Sequence, residues 1–129
     1  MLQIVVRQLD NDVSLVIVRG EIDVQSFAPL DGALAQLQGD GRTSVVLDLS
    51  EVTFLDSIGL GVLIAAKRRA RRARRGFALV VEPQGAIARV LDQVGIADGL
   101  SVFGTRDMAR AVLRNALSEK KLGGHAAPD

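Results

Sequence analysis

Apolar residues along this chain switch between two periods, and the switches predict the elements. Ile4-Val5-Val6 followed by Arg7 reads as a first strand, and Asp10-Asn11-Asp12 carries turn chemistry. Ser14-Leu15-Val16-Ile17-Val18-Arg19 reads as a second strand, antiparallel to the first across that short turn. Gly20-Glu21-Ile22-Asp23 is expected to break it. Apolar residues then return at helical spacing at Phe27, Leu30, Ala33, Leu34 and Leu37. Asp23 or Ser26 is available as the cap of that helix, Pro29 is tolerable only in its first turn, and Gly39-Asp40-Gly41 stops it. Ser44 to Leu49 is a near-continuous apolar run interrupted by Asp48, the pattern of a central strand buried on both faces. Ser50 to Asp56 reads as a short connection, and a second helix starts near Ser57.

The first half of that helix is apolar almost all round, which predicts early burial. Further on, Ala66, Ala70 and Ala73 form a stripe of small residues while basic residues face outward, and Gly76 is placed as the C-cap. Phe77 to Val81 is the next strand. Pro83 opens a short helix with Ile87, Val90 and Leu91 on one face, ending near Gly95. Val102-Phe103 is a short edge strand. A last helix follows, with Thr105 as N-cap and Asp107 in its first turn. Its inward face is expected to carry Ala109, Val112, Leu113 and Ala116, with Met108 at the border. The order β-β-α-β-α-β-α-(β)-α predicts an α/β fold. Its sheet is mixed, mostly parallel, of four to five strands packed with about four helices. The domain is expected to span residues 1–118, with a disordered tail over 119–129.

A length of 129 residues suits one domain. Aromatic residues make up only 3%, so the core must be built from Val, Leu, Ile and Ala, and little is left for base stacking. Sixteen Lys and Arg nearly balance fifteen Asp and Glu, so no global field argues for a nucleic-acid or membrane partner. The absence of cysteine excludes disulfides and thiol catalysis and fits a cytoplasmic protein. No signal peptide is expected, because the chain goes straight into a strand pattern. The longest apolar stretch, Ile58 to Ala66, falls far short of the ~20 residues of a membrane span.

Signals for catalysis fail. The only histidine is His125, in the expected tail, so a Ser-His-Asp relay or a His-based metal site on the folded body is not available. Gly59 and Gly61 lack a third glycine at dinucleotide-binding spacing, and no phosphate loop is present. Asp23, Asp48 and Asp56 could pair only if the fold brings two together. No enzyme activity, cofactor or metal is expected.

Asp56 is suited to cap the second helix, leaving Ser57 as its first residue with a spare hydroxyl. A phosphate there is tolerated by the helix start; the bland reading is that both are cap residues. Gly59 and Gly61 are a poor choice in a helix unless something must approach the backbone, either a partner or another part of the core. Gly20-Glu21-Ile22-Asp23 lies at the same sheet edge as Ser57 if the second strand parallels the central one; otherwise it is an ordinary capped turn. The basic run Lys67, Arg68, Arg69, Arg71, Arg72, Arg74, Arg75 suits the negative end of the helix dipole as a solvated face. Its sharper reading is a docking face for an acidic protein; nucleic acid or anionic lipid comes third, because no aromatic is interleaved with the run.

The stretch Val45-Val46-Leu47-Asp48-Leu49-Ser50, followed by Val52-Thr53-Phe54-Leu55-Asp56-Ser57-Ile58-Gly59-Leu60-Gly61-Val62-Leu63, resembles the signature of STAS domains. More narrowly it resembles bacterial anti-sigma-factor antagonists, and Gly20-Glu21-Ile22-Asp23 is similar to that family's motif after an early strand. The resemblance covers roughly residues 3 to 117. It implies a protein that binds an anti-sigma factor that is also a serine kinase of histidine-kinase-like ATPase fold, releasing the sigma factor. It implies phosphorylation of Ser57 by that kinase, release on phosphorylation, and resetting by a metal-dependent serine phosphatase. The implied partner surface is Asp23, Asp56, Ser57, Ile58, Gly59 and Gly61. Direct DNA binding and a membrane partner are not implied, and a weak homodimer is allowed. The family often has Ser or Thr after the acceptor; here Ile58 stands there, leaving Ser57 the one hydroxyl at the helix start. The heavy basic run is not part of the family pattern. The other reading of a STAS domain is a structural component of a stress-signalling scaffold or a lipid-transport complex.

Overall fold

The structure, a computed structural model, describes residues 2–94 and 100–123, with side chains through Arg114. The elements are β1 (Gln3–Asp10), β2 (Val13–Ile22), α1 (Phe27–Gln38), β3 (Ser44–Leu55), α2 (Ser57–Ala73), β4 (Phe77–Val80), α3 (Ala86–Val94), β5 (Ser101–Phe103) and α4 (Arg106–Gly123). They form one five-stranded sheet in the order β1-β2-β3-β4-β5. The β1–β2 pair is antiparallel and the other three pairs are parallel, which matches the mixed α/β expectation.

Alternation along the strands sorts the core into two faces. Val16, Val18, Val45, Leu47 and Leu79 meet Leu30 and Leu34 of α1, Val62, Leu63 and Ala66 of α2, and Ile87 and Leu91 of α3. Val13, Leu15, Ile17, Val46, Ala78 and Val80 meet Ala109 and Leu113 of α4, with Leu9 and Phe103 packed alongside. Three helices therefore cover one face and a single helix covers the other.

That single helix is held by ion pairs as well as by apolar contact. Asp48, 2% exposed in mid-strand, accepts from Arg106 Nε at 2.6 Å and from the Ser50 N–H at 2.9 Å. Arg110 grips Asp10 with two bonds of 2.9 Å, the bidentate geometry that fixes orientation. Burial pushes the Asp48 carboxyl up, but the Ser50 and Arg106 contacts outweigh it and its pKa lies below the ordinary value. The Arg110 hydrogen bond is the main reason that Asp10 is also lowered.

Several boundaries differ from the sequence expectation. Gly20-Glu21-Ile22 does not break β2, and Ser50–Leu55 is not a connection. The two strands run on side by side, pairing Arg19 with Glu51, Gly20 with Val52, Glu21 with Phe54 and Ile22 with Leu55 beyond two register shifts. Gly20, at φ 112°, supplies the irregular backbone this needs. The start of α2 is not buried all round: Ile58 and Gly61 face outward. Its C-cap is Arg74, not Gly76, at φ 58° and ψ 42°. The Arg75 N–H reaches back to the Ala70 carbonyl at 2.8 Å, closing the helix end. The left-handed conformation costs a residue with a Cβ roughly 1–2 kcal/mol, and glycine is the usual occupant. Gly76 is instead needed because a Cβ there would collide with Leu113. On α4, Ala109 and Leu113 are buried as expected but Val112 is exposed, since α4 overlies the sheet with one narrow stripe. α4 runs to Gly123, so residues 119–123 of the expected tail are helical. The Gly95 helix end and residues 124–129, His125 among them, lie outside the described residues, as does the Ala116 side chain.

Three carboxyls, those of Asp10, Asp48 and Asp23, lie below their ordinary value and shape the acid behaviour. Their contribution is fully present above the unfolded-state pKa of about 3.9 and is lost as pH falls through their lower folded values. Urea unfolding is therefore expected to show constant stability from neutral pH down to about pH 5 and a decline from about pH 4 downward. Asp48→Asn should lower stability at pH 7 by roughly 1.5–3 kcal/mol, the scale of a hydrogen bond to a charged group, and flatten that decline. Stability of Asp48→Asn equal to wild type at pH 7 would show that the ion pair is not holding α4.

Candidate functional site

The strand extensions bring two loops together. β2 ends at Ile22 and β3 at Leu55, in parallel register, so the segments leading into α1 and α2 emerge at the same sheet edge. Asp56 ties them. Its Oδ1 accepts from the Gly59 N–H at 2.9 Å and caps α2. Its Oδ2 accepts from the Val24 N–H at 3.2 Å, in the other loop. Its own N–H donates to the Ile22 carbonyl at 3.2 Å. Asp56 is thus the cap that the sequence indicated, and a bridge that the sequence did not indicate.

Asp23 lies on the same edge, with its carboxylate turned into its own loop. Oδ1 accepts from the Gln25 and Ser26 N–H groups, each at 3.0 Å, and lies 2.9 Å from the Ser26 hydroxyl. Ser26 Oγ in turn reaches the Glu21 carbonyl at 2.6 Å. The Ser26 hydroxyl, aided by the two N–H groups, holds the Asp23 carboxyl below the ordinary range. Neither Asp23 nor Ser26 caps α1 through its side chain; the Asp23 carbonyl accepts from the Phe27 N–H at 2.9 Å instead. The three candidate carboxylates do not form an acid–base pair. Asp48 is engaged by Arg106, Asp56 caps α2, and Asp23 shapes its loop.

Ser57 is the first residue of α2 and is exposed, and its hydroxyl makes no hydrogen bond among the described residues. Exposed apolar side chains stand in the same segments. Ile58 is 41% exposed, and Phe54 and Val24, in the segments joined through Asp56, are 48% and 63% exposed. Phe54 and Val24 were missed from sequence. A phenylalanine in an aromatic-poor chain, two residues before a cap, was the available signal for the first; Val24 carried none.

The two glycines part company. Gly59 is buried, and a Cβ there would collide with Leu55 and stand 2.9 Å from the Ile22 carbonyl oxygen. Close packing of α2 on the β2–β3 end requires a glycine here. Gly61 faces open space with nothing within 4 Å of its would-be Cβ. Among the described residues no three His, Cys, Asp or Glu side chains converge to hold a metal ion. Nor is any described helix long and apolar enough to cross a membrane.

This fold and edge have relatives. The family model for the STAS domain matches residues 3–109. The chain belongs to the STAS domain family. The anti-sigma-F factor antagonist RsfB of Mycobacterium tuberculosis is 39% identical over 59 residues, 46% of this chain and 48% of that protein, so the match spans about half of that relative. An anti-sigma-B factor antagonist of Listeria monocytogenes is 27% identical over 101 residues, 78% of this chain and 88% of the relative. Among solved structures, an anti-sigma factor antagonist from Mycobacterium paratuberculosis superposes with a TM-score of 0.80 at 31% identity, over 88% of this chain and 95% of that one. Unphosphorylated SpoIIAA, at 15% identity and a TM-score of 0.73 over 88% of this chain and 97% of its own, shares the fold.

The glycines give a stability test. Gly59→Ala should lower the unfolding free energy by about 1–3 kcal/mol through overpacking. Gly61→Ala, on an exposed helical position, should raise it by up to about 1 kcal/mol. Urea midpoints of the two variants check both, and equal effects would mean that α2 does not sit against Ile22 as described.

Proposed function

We propose that this protein is an anti-sigma-factor antagonist that binds a serine-kinase anti-sigma factor through the Ser57 edge and frees the sigma factor. Phosphorylation of Ser57 switches it off, and a metal-dependent serine phosphatase resets it. The protein acts by binding, in the cytoplasm. The observation that carries the reading is the placement of Ser57. It is a lone exposed hydroxyl at the first position of α2, beside a carboxylate that already joins the two edge loops. The names of the relatives support the partner class.

In the unmodified protein the edge offers Val24, Phe54 and Ile58 with a neutral hydroxyl among them. A partner covering it desolvates apolar surface at about 25 cal/mol per Å². A phosphate adds about −1.5 to −2 charge within one residue of Asp56. The helix N-terminus tolerates that charge, so the domain stays folded. A partner that fits the neutral surface must then bury an anion beside a carboxylate, which opposes binding. Gly61 leaves room beside Ile58 for close approach.

Mass-spectrometric mapping after incubation with ATP and the cognate kinase anti-sigma factor should find phosphate on Ser57 alone. In titration calorimetry, Ser57→Asp should weaken binding to that partner at least roughly tenfold, ~1.4 kcal/mol. Ser57→Ala should bind and stay bound when ATP is added. Phosphate on another residue, or a Ser57→Asp variant that binds as tightly as wild type, contradicts the switch.

A further inference from the structure

β1, the outer strand at one side of the sheet, stands apart from the Ser57 edge. It pairs with β2 from Gln3 opposite Arg19 to Asp10 opposite Val13, and β2 runs on to Ile22 beside β3. Among the described residues no strand pairs with its other side. A row of backbone N–H and carbonyl groups therefore faces outward there. Burial ends abruptly across this one strand pair. Val16 is 0% exposed and Val6, opposite it, is 50%; Ile17 is 7% and Val5, opposite it, is 36%. Successive residues point to opposite faces, so the sheet carries bare valine on both faces at this border.

Outer strands are commonly guarded against association by proline, lysine, shortness or a bulge. β1 has 8 residues, Gln3-Ile4-Val5-Val6-Arg7-Gln8-Leu9-Asp10, with neither proline nor lysine. Its irregularity lies at the Gln8–Asp10 end, where the Asp10 carboxylate is taken up by Arg110. Arg7 is the one exposed charge along the strand. The apolar run Ile4-Val5-Val6 is symmetric about Val5, with Gln3 and Arg7 flanking it at equal distance. An antiparallel copy centred on Val5 therefore sets Val5 against Val5, Ile4 against Val6 and Gln3 against Arg7. Each pair is apolar with apolar or polar with polar, the kind of cross-strand pair that stabilises a sheet. The two arginines then stand about 14 Å apart along the strands, beyond the ~10 Å screening length. Centring on Val6 instead puts Val5 against Arg7 and Ile4 against Gln8, and centring on Arg7 puts two arginines face to face.

We propose that a second copy of this chain pairs along β1, joining the two sheets edge to edge about a two-fold axis at Val5. The new ladder runs from Gln3 to Arg7 of each copy. Ile4 meets Val6 on the face that carries α1, and Val5 meets Val5 on the face that carries α4. The symmetry of the strand's own sequence selects a second copy over a foreign strand. The contact is isologous, so it closes at two copies and does not run on into a fibre. An edge ladder of this length is small beside the ~1,200 Å² at which standard interfaces begin, so the dimer is reversible and depends on concentration. The Ser57 edge loops leave β2 and β3 beyond Arg19, outside the ladder, so each copy keeps its own partner surface.

The test uses the full chain, which contains no cysteine, so one introduced thiol reports one position. Directly opposed residues of antiparallel strands have Cα atoms about 4.5–5.5 Å apart, within the roughly 4.4–6.8 Å that a disulfide spans. Diagonal neighbours lie roughly 7–8 Å apart, outside it. Mild oxidation of Val5→Cys should therefore give a covalent dimer, and Val6→Cys should stay largely monomeric. Sedimentation velocity across a concentration series should show a reversible monomer–dimer equilibrium. Alternate amides between Gln3 and Arg7 should gain exchange protection as concentration rises. Val5→Lys sets two charges against each other at the axis. It should weaken the dimer at least roughly tenfold, with a thermal midpoint close to wild type. Ser57→Asp should leave the dimer unchanged, so failure here and failure of the Ser57 switch are distinguishable. A chain that stays monomeric throughout the series overturns the proposal, as does a dimer that Val5→Lys does not weaken. So does cross-linking of Val6→Cys in preference to Val5→Cys. Protection of the β1 amides in a monomer overturns it too, since another segment of the same chain would then cover the strand.

Discussion

One carboxylate organises the Ser57 edge of this protein. Asp56 uses one oxygen to cap α2 and the other to hold the Val24 N–H of the neighbouring loop. Together with the strand pairing up to Ile22 and Leu55, this ties the two loops at one sheet edge beside Ser57. An N-cap of this kind contributes about 0.5–2 kcal/mol to a helix. Its larger effect here is positional, because it fixes where the hydroxyl stands relative to Val24, Phe54 and Ile58.

That carboxylate is in place only because β2 and β3 overrun the length that their apolar cores suggest. The register shifts after Ile17 and after Gly20 let the strands stay paired to Ile22 and Leu55. The Ile22 carbonyl then receives the Asp56 N–H, and Gly59 lets α2 sit directly on Ile22 and Leu55. Backbone, cap and glycine act as one unit, and a change in any of them moves the serine. The other sheet face is built differently. Among the described residues α4 contributes Ala109 and Leu113 to its core, and Asp48 and Asp10 hold its Arg106 and Arg110.

Much of this was legible in the sequence. The alternation of periods gave the element order and the mixed sheet, and the Asp-Ser pair before an apolar helix gave the cap and the acceptor candidate. What the sequence hid depends on pairing at long range. Ser50, Glu51 and Thr53 look like loop residues, and only the partner strand makes them strand. Asp48 looks like an interruption until Arg106, 58 residues away, reaches it. Gly59 and Gly61 are identical as letters and opposite in surroundings, one against Ile22 and one against open space. The Arg74 cap was misplaced at Gly76 because glycine is the expected occupant of a left-handed position, and an arginine there gives no local signal.

The account stands on the Asp56-tied edge being the surface that a partner covers and that phosphate closes. The most direct measurement is an amide shift map of the labelled protein bound to its kinase anti-sigma factor, followed on addition of ATP. The amides of Val24, Phe54, Ser57, Ile58 and Gly61 should move on binding. Once Ser57 carries phosphate, Val24, Phe54 and Gly61 should return toward their free positions. Shifts centred elsewhere, or an edge that stays covered after phosphorylation, would contradict it.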